Sequence, residues 1–116
     1  MPTAIRVYGE LVDETTAKHA GIKAGDYYVE NVIISNNEIS DEAIGIKCGN
    51  TRNSVITNNK IRYTGKISAS TNYSISLYDN STNNEISGNE ITGSGRHGIY
   101  TSAGCSKTAI KNNKIT

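Results

Sequence analysis

The chain has 116 residues, enough for one domain with a modest core, and its net charge of +1 argues against a strong non-specific hold on nucleic acid or an anionic membrane. With 16 Ile, 14 Asn and 11 Gly but no Phe, no Trp and one Pro, it suits neither a helical globule nor a disordered chain. Short β-branched strands divided by Asn and Gly turns fit that composition, and no apolar run is long enough to cross a bilayer as a helix.

The first segment, TAIRVYGELV (3–12), alternates like a strand, so residues 1–19 are expected to form a first partial coil or a cap. From residue 20 two kinds of segment take turns. One reads AGIKAG (20–25), IGIKCG (44–49), SISLYD (74–79) and HGIYTS (97–102). The other reads NVIISNNEI (31–39), NSVITNNKI (53–61), NNEISGNEI (83–91) and KTAIKNNKI (107–115). Within the second kind, Ile34, Ile56, Ile86 and Ile110 precede Asn37, Asn59, Asn89 and Asn113, and Ile39, Ile61, Ile91 and Ile115 follow them. The asparagines are 22, 30 and 24 residues apart.

Each repeat thus holds three short apolar strands in little more than twenty residues, none able to bury itself alone. Stacking solves that problem. If every repeat is one coil of a solenoid, isoleucine lies over isoleucine at a spacing of about 4.8 Å. Asparagine then lies over asparagine at a turn, where its amide can pass hydrogen bonds along the stack and its backbone tolerates a left-handed conformation. The outward residues Glu38, Lys60, Glu90 and Lys114 alternate in sign, which in-register stacking favours by a few tenths of a kcal/mol per pair. In the first kind of segment the expected inward column is Ile22, Ile46, Leu77 and Ile99. Lys23, Lys47, Tyr78 and Tyr100 are expected to point outward, beside Gly21, Gly45, Ser76 and Gly98.

The pattern GIK…NSVITNNKI resembles the parallel β-helix repeat of the pectate-lyase-like superfamily, over Ala20 to Thr116. The resemblance implies an all-β, right-handed, single-stranded parallel β-helix of about four coils: one domain, 1–116, with repeats over 20–116. It also implies a carbohydrate-active module, part of a phage or bacterial polysaccharide-degrading protein such as a tailspike depolymerase, with glycan on the outer face of the first sheet. A non-catalytic spacer, oligomerisation module or protein-binding β-helix uses the same repeat and remains the alternative.

On the implied face, Lys23, Lys47, Tyr78 and Tyr100 suit a sugar chain carrying carboxylates, with tyrosine rings and hydroxyls for pyranoses. The connection RYTGKISASTNY (62–73) is swollen relative to its counterparts and adds Tyr63 and Lys66 as one wall of that face. A solvated outer face and a harmless insertion explain the same residues without a ligand. For hydrolysis, Asp41, Glu42 and Asp79 are the candidate carboxylates, which would have to lie about 5 Å or 6.5–9.5 Å apart. For elimination, GRHGIY offers Arg96, His97 and Tyr100, although His97 falls in an expected inward column with Ala20, Ile44 and Ile75 and equally suits a structural histidine.

No metal-ligand spacing, nucleophile elbow or phosphate loop is present, so no cofactor or metal is expected. Cys48 and Cys105 lack any CxxC spacing and read as free thiols. The expected partners are a polysaccharide and either neighbouring coils of a longer chain or further copies in a homo-oligomer such as a trimer, because a β-helix ending on Ile115 leaves an uncovered apolar cross-section. Nucleic acid and membrane are not expected, and the resemblance favours a secreted or virion-associated location.

Overall fold

The computed structural model describes residues 3–65 and 69–116. Four coils stack along one axis. The first begins with β1 (Thr3–Tyr8), and its chain then leaves the solenoid through β2 (Glu10–Val12), α1 (Glu14–Ala20) and β3 (Gly25–Tyr27). It returns through β4 (Val29–Glu30) and closes with β5 (Ile33–Ser35) and β6 (Glu38–Ser40). The second coil is β7 (Ile44–Gly49), β8 (Thr51–Arg52), β9 (Val55–Thr57) and β10 (Lys60–Arg62). The third is β11 (Tyr73–Tyr78), β12 (Glu85–Ser87) and β13 (Glu90–Thr92), and the fourth is β14 (His97–Thr101), β15 (Ala109–Lys111) and β16 (Lys114–Ile115).

Three four-stranded sheets, parallel throughout, run along the solenoid in the orders β1-β7-β11-β14, β5-β9-β12-β15 and β6-β10-β13-β16. In the second sheet Ile34, Ile56, Ile86 and Ile110 are direct register partners. In the third, Ile39, Ile61, Ile91 and Ile115 stack likewise, with Glu38, Lys60, Glu90 and Lys114 in register beside them. Burial follows the stack: Ile86 and Ile91 are fully buried, whereas Ile110 and Ile115 of the fourth coil are 51% and 52% exposed. Cys48 is a core residue, and burial pushes its thiol up to about 12; it and the partly buried Cys105 are both free.

The asparagines form the expected ladder. Asn37, Asn59 and Asn89 each donate through Nδ2 to the Oδ1 of the next asparagine, at 2.9, 3.0 and 3.0 Å. The same Oδ1 also accepts the backbone N–H of the residue below. From Asn59 onward the second Nδ2 hydrogen reaches back to a carbonyl: Ile34, Ile56 or Ile86. One detail differs from expectation. The left-handed backbone belongs to the residue before each ladder asparagine, namely Asn36, Asn58, Gly88 and Asn112, with φ between 56° and 64°. A second, shorter polar stack stands at the neighbouring corner, where Ser54 Oγ accepts from Val32 N–H and Asn84 Oδ1 accepts from Ser54 N–H.

The first sheet departs from the expected register. Its opening strand is β1, not residues 20–25, so Ile5, Ile46, Ile75 and Ile99 form one inward column. Val7, Cys48 and Leu77 form the next, closing on Thr101. Leu77 therefore stacks on Cys48 rather than Ile46, and Tyr78 lies beside Gly49 rather than Lys47. The outward column through Lys47 runs Arg6, Lys47, Ser76, Tyr100.

Residues 20–25 instead end α1 and lead into β3, leaving Ile22 49% exposed. That helix is locally encoded. Asp13 caps it, its carboxylate accepting the Thr16 N–H at 2.7 Å. Glu14 sits in its first turn and Lys18 and His19 in its last, each complementing the helix dipole, and Gly21 closes it at φ 72°. Gly9 lets the excursion start, since a Cβ there would lie 2.2 Å from the Tyr27 carbonyl oxygen and 2.7 Å from the Tyr28 Cα. Both are backbone atoms. Gly9→Ala is therefore expected to destabilise the protein by about 1–3 kcal/mol, read as a shift in the denaturation midpoint; an unchanged midpoint would mean that the excursion is not packed as described.

Candidate functional site

The outer face of the first sheet carries rings and cations in one continuous run. The Arg6 guanidinium lies 4.5 Å from the Tyr8 ring centre. Lys47 Nζ sits between two rings, 5.6 Å from Tyr8 and 5.0 Å from Tyr78. The Tyr78 and Tyr100 ring centres are 5.6 Å apart, and Tyr100 stacks on both His97 and Tyr73, at 5.2 and 5.4 Å. Arg96 closes the run, 5.6 Å from the Tyr73 ring. Such cation–ring contacts hold the long side chains down on the sheet. Ser76, in the outward column between Lys47 and Tyr100, is fully buried as a result. Burial also raises the Tyr78 phenol above its ordinary range, and it remains a hydroxyl donor.

Of the expected binding residues, Lys47, Tyr78 and Tyr100 are on this face. Lys23 is not: it lies exposed after α1, its carbonyl accepting the Tyr27 hydroxyl at 2.6 Å. Tyr63 sits at the corner after β10, its N–H donating to the Thr92 carbonyl at 2.9 Å. Lys66 lies outside the described residues. The end of the swollen connection does reach the face, since Asn72 Oδ1 accepts the Gly95 N–H at 2.7 Å and the Ser70 carbonyl meets Arg96.

The candidate carboxylates are not brought together. Asp41 and Glu42 precede β7, whereas Asp79 follows β11 at the other end of the same sheet. Six strand residues separate those ends, about 17 Å, well beyond the reach of a hydrolytic pair. Asp41 is moreover committed to a turn, its two oxygens accepting Thr64 N–H and Oγ1–H, both at 2.6 Å. Asp79 is exposed at φ 52°, the position held by Asn50 one coil earlier, and so turns outward rather than following the inward column. Arg96, His97 and Tyr100 do converge. His97 pairs with Tyr73, above Ile44, and the ring stack leaves it half-buried, not sealed in the core.

Beside the face, at the end of its strands, lies a cleft of about 470 Å³ lined by Arg6, Tyr8, Glu10, Asp26, Asn50 and Asp79 among others. Asp26 reaches into it from the excursion and is held by the Asn50 amide and the Arg52 guanidinium. Burial, and after it the Asp79 charge, hold the Tyr8 phenol above its ordinary range. Among the described residues no cluster of His, Cys, Asp and Glu is suited to a metal ion.

The family described as "right handed beta helix region" matches residues 5–115. The chain belongs to the right-handed β-helix family. No curated protein and no solved structure matches it. Membership of this β-helix family accounts for the coil and the handedness of its crossovers.

Sequence reasoning missed Arg6, Tyr8 and the cleft, each of which depends on β1 being the first strand of the β-helix; Tyr73, expected at the end of the swollen connection, opens β11 and joins the ring run. One signal was available: RVY (6–8) repeats the cation-then-tyrosine order of the face within a single alternating strand.

Proposed function

We propose that this β-helix is a carbohydrate-binding module that holds an extended anionic glycan across the outer face of its first sheet. The observation that carries the reading is the unbroken run Arg6, Tyr8, Lys47, Tyr78, Tyr100, Tyr73, Arg96. Rings offer stacking surfaces to pyranoses and the cations offer charge to uronates. A polymer rising through the coils meets a ring or a cation at each rung. The resemblance of the repeat to pectate-lyase-like proteins supports reading such a module as part of a polysaccharide-degrading protein.

With the acidic residues split between the two ends of the sheet, hydrolysis by the Asp41, Glu42 and Asp79 set is not part of this proposal. Elimination would fall to Arg96, His97 and Tyr100, the one group of that kind on the face. Ile110 and Ile115, half-exposed on the fourth coil, offer an apolar surface on which another copy of the module would stack.

Titration calorimetry with a polyuronate tests the reading. Lys47→Ala is expected to weaken binding about five- to tenfold with the melting temperature nearly unchanged, since its side chain reaches solvent; Tyr100→Ala should weaken binding as much and also cost about 1–3 kcal/mol of stability, since its ring packs on His97, Tyr73 and Tyr78. Raised salt should weaken the Lys47-dependent part. No binding by the folded wild type would leave the protein-binding or spacer reading as the better account. Release of unsaturated uronate, followed by ultraviolet absorbance and abolished in His97→Ala, would add the elimination.

A further inference from the structure

The third sheet carries on its outer face a charge pattern that the glycan-binding face neither uses nor covers. Glu38, Lys60, Glu90 and Lys114 are register partners on successive coils, all exposed, at the rung spacing of about 4.8 Å. Neighbours of opposite sign so placed are expected to pair within the chain. They do not: among the described residues the ion pairs are Arg52–Asp26 and Lys111–Glu85, neither of them in this column. Ser40, Arg62 and Thr92 run beside it, and between the two columns lies a groove of about 390 Å³ with Ile39 and Ile61 at its floor. The four charges therefore face solvent without an ion-pair partner in their own chain.

Along the solenoid the signs read minus, plus, minus, plus, and the same column read backwards is its complement. Consider a second copy turned about a two-fold axis that lies along the strands, midway between β10 and β13. The two third sheets then face each other with their solenoid axes antiparallel. Glu38 meets the partner's Lys114, Lys60 meets the partner's Glu90, and the symmetry repeats both contacts. Arg62 meets the partner's Thr92, so no cation opposes a cation in the neighbouring column. Other alignments are penalised. A slip of one coil either way sets lysine on lysine and glutamate on glutamate, and a slip of two halves the number of pairs. Parallel axes in the same register oppose like charges on every coil. Attraction and repulsion together select one antiparallel register.

We infer that the outer face of the third sheet is a docking surface for a second copy of this chain, held antiparallel by the Glu38–Lys114 and Lys60–Glu90 pairs. Exposed ion pairs on so narrow a face give a weak, reversible dimer, with a Kd on the order of 0.1–1 mM at low salt. The first sheet is a separate side of the coil, so the glycan-binding faces of both copies stay open. The docking surface does not depend on the glycan reading.

Sedimentation equilibrium of the full chain tests the surface. The wild type is expected to dimerise at about 20 mM salt and to lose about tenfold in affinity at about 500 mM. Stacking through Ile110 and Ile115, being apolar, would not weaken with salt. Glu38→Lys and Lys114→Glu each set like charges together at two symmetry-related contacts and should weaken the dimer about tenfold or more. In the double variant Glu38→Lys/Lys114→Glu the exchanged charges meet again, and affinity should return to within about threefold of the wild type. Both side chains are exposed, so circular dichroism should show the fold unchanged in all three variants. A wild type that stays monomeric at about 1 mM and low salt overturns the proposal. So does a dimer indifferent to salt and to the single variants, or a double variant as weak as the singles.

Discussion

Replacing Asn89 with alanine is expected to cost about 3–5 kcal/mol and to lower the melting temperature by about 10 °C or more. Asn89 Oδ1 is the acceptor for two donors of fully buried Asn59, its backbone N–H at 2.9 Å and its Nδ2 at 3.0 Å. Its own Nδ2 serves the Ile56 carbonyl and Asn113. Alanine removes all four bonds and admits no water to replace them, and each stranded buried group costs about 1–3 kcal/mol. Chemical denaturation followed by circular dichroism measures the loss. A change below about 1 kcal/mol would show that the ladder decorates the corner rather than holding it.

The second large effect lies in the isoleucine column of the second sheet, and it should be graded. Ile86→Ala is expected to cost about 2–5 kcal/mol, because Ile56 and Ile110 fix the coils on either side and the space cannot close. Ile110→Ala, at a half-exposed position of the same column, should cost about 1 kcal/mol. Equal losses at the two positions would contradict the burial gradient along the solenoid.

The asparagine corner and its flanking isoleucines were legible in the sequence because they repeat together, and a polar marker next to an apolar one fixes register to the residue. The first sheet carries no such marker. Ile75 and Leu77 both point inward, so sliding β11 by two residues against β7 keeps every side chain on its proper face, and alternation alone cannot detect the slip. That slip misplaced Tyr78 by two residues along the strand, from Lys47 to Gly49, while still leaving it on the correct surface. Residues 20–25 were misread for a different reason. AGIKAG imitates IGIKCG, but the four residues before Gly21 are already helical under the Asp13 cap, and a local capping signal outweighs a borrowed pattern. The cleft was illegible because its walls come from an excursion and from two separate coils.

The ladder also bears on chemical ageing. An asparagine deamidates when the backbone nitrogen of the following residue attacks its side-chain carbonyl, which requires that nitrogen to be free and the amide to swing towards it. Behind Asn59, Asn89 and Asn113 stand Lys60, Glu90 and Lys114, whose backbone N–H groups donate to the carbonyls of Asn37, Asn59 and Asn89 at 2.8, 2.9 and 2.8 Å. The attacking atom is thus tied to the coil below while the ladder holds each side chain in one orientation. A protein with an eighth of its residues as asparagine (14 of 116) keeps its structural amides out of reach of the reaction that most often degrades that residue.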